Sequence, residues 1–136
     1  MVLEEVIGRH RIRLEPPDLF AIVNDGDISE ADASRLMNRL VDFAGGKERV
    51  LLLMDVERSG QMAPPARSIA VKSVGRLPVA GIAIIGATFS IRVAATLMAK
   101  ALALLYPSAP PARFFASEAE ARAWLGERRQ AARATI

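Results

Sequence analysis

The order of apolar and polar positions predicts a chain that alternates strands with helices. Residues 50–54 (VLLLM) are apolar without alternation, as a strand reads when both of its faces are covered, and they are placed at the centre of a sheet. Asp55 ends that run. Residues 56–62 then read as a polar loop, and Pro64 and Pro65 suit the first turn of a helix. Ligands and partners of open α/β sheets usually dock at such a strand end, which makes Asp55, Arg58, Ser59 and Gly60 a candidate partner-facing loop.

Before that strand, residues 9–14 (RHRIRL) alternate polar with apolar and residues 19–23 (LFAIV) form a second strand. The intervening EPPD is turn chemistry, so the chain opens on a hairpin. Residues 24–27 read as a turn. Ser29 and Asp32 resemble a capping box for a helix over 30–43, with Ala33, Leu36, Met37, Leu40, Val41 and Ala44 at three- and four-residue intervals. Gly45 and Gly46 end it. After the central strand come a short helix over 65–74, closed near Gly75, and an unalternating strand over 81–85 (GIAII) that stops at Gly86. A long helix over 90–105, a stiff connector (PSAPP), a short strand over 113–115 and a second capping box (SEAE) follow. The last helix runs through Ala123, Trp124 and Leu125, and residues 127–136 are expected to fray. The order predicts a single α/β domain over 1–136, with a mixed, mostly parallel five-stranded sheet, four helices and right-handed crossovers.

The helix over 90–105 departs from the usual amphipathic pattern. Arg92, Thr96 and Lys100 form its one polar stripe. Ile91, Met98, Leu102 and Leu105 would face the sheet, Val93, Leu97 and Leu104 cluster to one side, and Ala95, Ala99 and Ala103 form a smooth ridge on the other. One sheet cannot cover that much apolar surface. Each fully buried Val or Leu contributes roughly 1.5 to 3 kcal/mol, so Val93, Leu97 and Leu104 are expected to meet another helix, a second subunit or an apolar ligand.

Composition narrows the chemistry. At 136 residues, half of them hydrophobic, the chain suffices for one domain with a substantial core. It has no cysteine and a single histidine, which excludes disulfides, thiol catalysis and Cys/His zinc sites and makes a reducing cytoplasm the expected compartment. His10 has no nucleophile or carboxylate at a revealing spacing and reads as structural. The N-terminus lacks the pattern of a secretory signal, and the apolar run near residues 93–106 is broken by Lys100 and too short to span a bilayer. Nothing in the pattern asks for a cofactor or a metal.

Charge is segregated along the chain. Residues 1–57 hold twelve acids and seven bases, whereas residues 58–117 hold seven bases (Arg58, Arg67, Lys72, Arg76, Arg92, Lys100 and Arg113) and no acid. The second half seeks anions if those side chains gather. Nucleic acid is not the expected partner, because the seven aromatic residues are not interleaved with the bases.

EPPDLFAIVNDGDIS, VLLLMDVERSGQM, VAGIAIIGATFSIRVAATL and ARFFASEAEARAWL together resemble the STAS domains (sulfate transporter and anti-sigma factor antagonist). The nearer likeness is to small bacterial STAS-like proteins grouped near the CRAL-TRIO lipid-binding domains. The resemblance implies a regulatory binding module rather than an enzyme. It also implies a phosphate-accepting Ser or Thr in an Asp-Ser-Ser-Gly-like motif after the central strand. That motif is absent: Ser59 and Gly60 come too soon after Asp55, and Ser68 is the one other hydroxyl close by.

Three readings follow from the residues. The first is an interaction module that binds a protein partner or itself, as a homodimer, through the long helix and the strand-end loops. The second is a carrier of a small anionic amphiphile, its tail against the long helix, its head at Arg92 and the helix N-terminus, with Gly86, Ala87, Thr88, Phe89 and Ser90 lining the mouth. The third is a phosphoreceiver at Asp55 with magnesium held by Asp25 and Asp27; it needs a lysine on the last strand, where Arg113 stands.

Overall fold

Gly8 makes the first turn of the chain possible. It takes φ +61°, the left-handed value required at the first central position of a two-residue hairpin loop, and joins Ile7 to its cross-strand partner His10. The hairpin pairs β1 (Leu3–Ile7) with β2 (His10–Glu15), and β2 pairs antiparallel with β3 (Leu19–Ile28). The computed structural model describes residues 1–134. After β3 the elements are α1 (Glu30–Ala44), β4 (Val50–Met62), α2 (Pro64–Arg76), β5 (Val79–Ile85), α3 (Phe89–Leu105), β6 (Ala112–Phe115) and α4 (Glu118–Ala134). The sheet runs β1-β2-β3-β4-β5-β6, parallel from β3 onward.

The single α/β domain with four helices matches the sequence reading; the strand count does not. Six strands form, and the additional one is β1. Its residues are exposed except for Ile7, and Glu4 and Glu5 give it no apolar face. It is held as an edge strand by its ladder to β2 and by Arg39 of α1, whose guanidinium bonds Glu5 at 3.1 Å. Charged side chains suit such an edge.

Residues 24–27 and 56–62, expected as a turn and a loop, are strand instead. Beyond Asp55, β4 keeps pairing with β3: Asp25 lies against Arg58, Gly26 against Ser59 and Ile28 against Met62. Two register shifts occur on the way, and the Asp55 carboxylate accepts a hydrogen bond from the Glu57 amide at 3.1 Å. Glycine permits the closest approach. A Cβ at Gly60 would run into the Asp27 carboxylate and sit 2.9 Å from the Asp27 backbone nitrogen. Asp27 Oδ1 also accepts from the Gln61 amide at 2.8 Å. Since β5 ends opposite Asp55, the two strands continue past it as a ribbon.

The layers are unequal. Ile12, Leu14, Phe20, Ile22, Leu52, Ile82 and Ile84 point toward α1, α2 and α3, whereas Leu19, Ala21, Leu51, Leu53, Ala83 and Ile85 meet α4 alone. The N-terminus of α1 carries the expected Ser29–Asp32 capping box. It also covers His10, which is buried. His10 Nδ1 accepts from the Asp25 amide at 3.0 Å, and Nε2 lies 3.3 Å from Asp32 Oδ2 without the alignment of a hydrogen bond. This histidine is a structural group beneath a helix start.

Residues 127–134, where fraying was expected, continue a helix. Helix α4 runs to Ala134, with Arg128 donating to the Ala80 carbonyl at 3.1 Å and Arg129 gripping Asp18 through bonds of 2.7 and 2.8 Å. Residues 135–136, the rest of that expected tail, lie outside the described residues.

Candidate functional site: an apolar cavity beneath α3

Helix α3 starts at a Thr88 cap, whose hydroxyl accepts from the Ile91 amide at 3.3 Å. It packs mainly against α2, and of its seventeen residues only Leu102 is buried. Its other inward side chains, Ile91, Ala95 and Met98 among them, are only partly buried where they pack against the core. They form the roof of a cavity of about 380 Å3.

Four elements supply the walls. Ile22, Leu52, Met54, Ile82 and Ile84 come from the sheet, Leu36 and Met37 from α1, Ala70, Val71 and Val74 from α2, and Ile91, Ala94, Ala95, Met98, Ala99 and Leu102 from α3. Alanines at 94, 95 and 99 leave the space that larger side chains would fill. Polar groups enter from the ribbon and the helix starts: Asn24, Ser59, Gln61, Ser90 and Arg67, the one charged side chain on the wall among the described residues. Asn24, only 3% exposed as a residue, lines the cavity.

The residues singled out in the sequence are divided by the structure. Ser59, Gly60 and Ser90 line the cavity. Gly86, Thr88, Phe89 and Arg92 do not: Phe89 is 81% exposed, and the Arg92 guanidinium stacks 4.9 Å from the centre of the Phe114 ring. Asp55 and Arg58 lie on the ribbon, the former turned into its own strand bend and the latter exposed. Val93, Leu97 and Leu104 are exposed on the outer side of α3. Asp25 bonds Arg9 at 3.0 Å while Asp27 caps Gln61, and no group of three or more potential metal ligands occurs among the described residues. Sequence reasoning missed Arg67, Asn24 and Gln61. The only available signal was that the ribbon residues alternate, which a loop assignment conceals.

An open, mostly parallel sheet with a hairpin entry, three helices over one face and a cavity beneath the third defines a small STAS-like α/β module. The chain belongs to the SpoIIAA-like family, whose model matches residues 19–126. Among solved structures it is similar to an uncharacterised protein of the DUF3478 family with a SpoIIAA-like fold from Shewanella loihica PV-4. That likeness has a TM-score of 0.63 at 17% identity and covers 91% of this chain and 93% of the other. No sequence among the curated proteins matches the chain. The fold is therefore that of a STAS-type module. No described helix is long and apolar enough to cross a membrane.

Proposed function

We propose that this protein is a non-catalytic binding module that carries or senses a small, single-tailed amphiphile in the cavity beneath α3. The observation that carries the reading is an apolar chamber whose wall includes a carboxamide, Asn24, and one cation, Arg67. At about 30 Å3 for each methylene- or water-sized group, 380 Å3 holds about a dozen of them. A single short acyl chain fits that space. The head group would meet Arg67, Asn24, Gln61 and Ser90 rather than Arg92. The cysteine-free composition suits work in a reducing cytoplasm.

The test is native mass spectrometry of the purified protein together with titration of a fluorescent fatty acid of about twelve carbons. Ala95→Phe places a ring in the chamber and is expected to weaken binding more than about tenfold. Arg67→Gln removes a charge-assisted bond and should weaken it by about tenfold. An Ala95→Phe protein that binds the probe like the parent would sink the reading. A regulatory module acting by self-association is the second reading, favoured by the exposure of Val93, Leu97 and Leu104. It predicts a dimer in sedimentation that Leu97→Glu converts to a monomer.

A further inference from the structure

Among the described residues, no base between residues 58 and 117 has a carboxylate partner. Ion pairs engage Arg9, Arg13, Arg39, Arg49, Arg122 and Arg129, but none is formed by Arg58, Arg67, Lys72, Arg76, Arg92, Lys100 or Arg113 among the described residues. Five of these seven lie on two helices that pack together: Arg67, Lys72 and Arg76 on α2, and Arg92 and Lys100 on α3, all of them exposed. Beside the Arg92–Thr96–Lys100 stripe on α3 runs an apolar one. Val93 is 44% exposed, Leu97 59% and Leu104 87%, with Phe89 at the N-terminal end. A helix with adjoining apolar and basic stripes is built to lie in the boundary between lipid head groups and acyl chains.

We propose that the outer face of α3, with the neighbouring bases of α2, docks on an anionic membrane surface. Charge selects this occupant over a second copy of the chain. A two-fold contact brings the same patch together from both subunits. Arg92 and Lys100 of one copy would then be brought toward the same basic stripe of the other, with no acid between residues 58 and 117 to intervene. An anionic lipid surface satisfies the free cations and accepts Phe89, Val93, Leu97 and Leu104 at once. The inference goes beyond the cavity reading and stands whether or not the cavity is filled.

The experiment is flotation of the full chain with vesicles of phosphatidylcholine alone and with vesicles containing about three-tenths phosphatidylglycerol. Binding is expected to the anionic vesicles only. It should disappear as salt rises from about 0.1 M to about 1 M, where the screening length falls from about 10 Å to about 3 Å. Lys100→Gln should weaken it about fivefold. Leu97→Glu should abolish it, with circular dichroism confirming the fold, whereas Arg11→Gln, exposed on the other side of the sheet, should change nothing. Ala95→Phe, which fills the cavity, should float like the parent. The proposal is overturned by equal binding to both vesicle types, or by Lys100→Gln behaving like Arg11→Gln. A stable dimer in sedimentation that Leu97→Glu dissolves overturns it too, by assigning the face to a second copy.

Discussion

Arg129→Met is expected to destabilise the fold by about 3 kcal/mol, seen as a fall of about 1 to 2 M in the urea midpoint with the slope unchanged. The Asp18 carboxylate is nearly sealed from solvent in the turn between β2 and β3, and its main partner is the two-pronged Arg129 of α4. Arg49 stands 3.4 Å away, but its Nε is not aligned to bond. Methionine keeps most of the arginine stem in place. The variant therefore loses the charge and both hydrogen bonds while leaving a buried carboxylate behind, which is the destabilising arrangement. Arg129 itself is about one-third exposed, which keeps the expected loss at the lower end of the range for broken buried pairs.

The loss should depend on pH in a defined direction. Burial raises the affinity of Asp18 for a proton, but the hydrogen bonds and charge of Arg129, with the charge of Arg49, outweigh it and hold the carboxyl below its ordinary 3.8. Glu15 is held below its ordinary 4.5 by its hydrogen bonds to Arg122, against burial and with the added charges of Arg122 and Arg13. A depressed carboxyl contributes stability that is present above its unfolded value and is lost as pH falls through the folded one. The parent should therefore lose stability in acid below about pH 4. In Arg129→Met burial acts on Asp18 with less opposition, so the gap between parent and variant should be widest near neutrality and narrow toward pH 3. A gap that stays constant with pH would show that the Arg129 charge contributes nothing through Asp18.

That clamp also shows what a sequence pattern can and cannot carry. The helices were legible because residues such as Leu36 and Leu40 recur at helical spacing, and the central parallel strands because residues 50–54 and 81–85 are apolar without alternation. The tail was not. Its ERRQ reads as solvated, and only the fold brings Arg129 to a carboxylate 111 residues away. Strand β1 was hidden for a related reason, since an edge strand held by one ladder and an Arg39 contact needs no apolar face. The site divided along the same line. The excess of apolar surface on α3 was visible in its composition; Val93, Leu97 and Leu104, expected to be covered, are left exposed by the other helices of the chain. That α3 stands off the sheet, leaving a chamber, depends on Ala94, Ala95 and Ala99 facing β-strand residues across a gap, and no local pattern records a gap. Arg67, not Arg92, lines the chamber; the Arg92 guanidinium lies over the Phe114 ring.

Gly60→Ala is expected to destabilise the protein by about 2 kcal/mol and to weaken amphiphile binding in the same variant. The added methyl would meet the Asp27 side chain, its backbone nitrogen at 2.9 Å and the Gly26 carbonyl carbon at 3.0 Å. Rotating the carboxylate away would sacrifice its bond from the Gln61 amide, and the backbone atoms cannot rotate away at all. The two strands of the ribbon must separate instead. Ser59, Gly60 and Gln61 line the chamber and Ile28 packs with Ala33 and Ala66, so separation disturbs the polar entrance and the small apolar cluster that fastens the ribbon to α1 and α2. Gly126→Ala provides the opposite sign. That residue lies within α4 with open space where a Cβ would go, and alanine there should stabilise the helix by about 0.5 to 1 kcal/mol. If both substitutions shift the urea midpoint upward, β3 and β4 do not approach as closely beyond Asp55 as the ribbon requires, and the chamber has a different mouth.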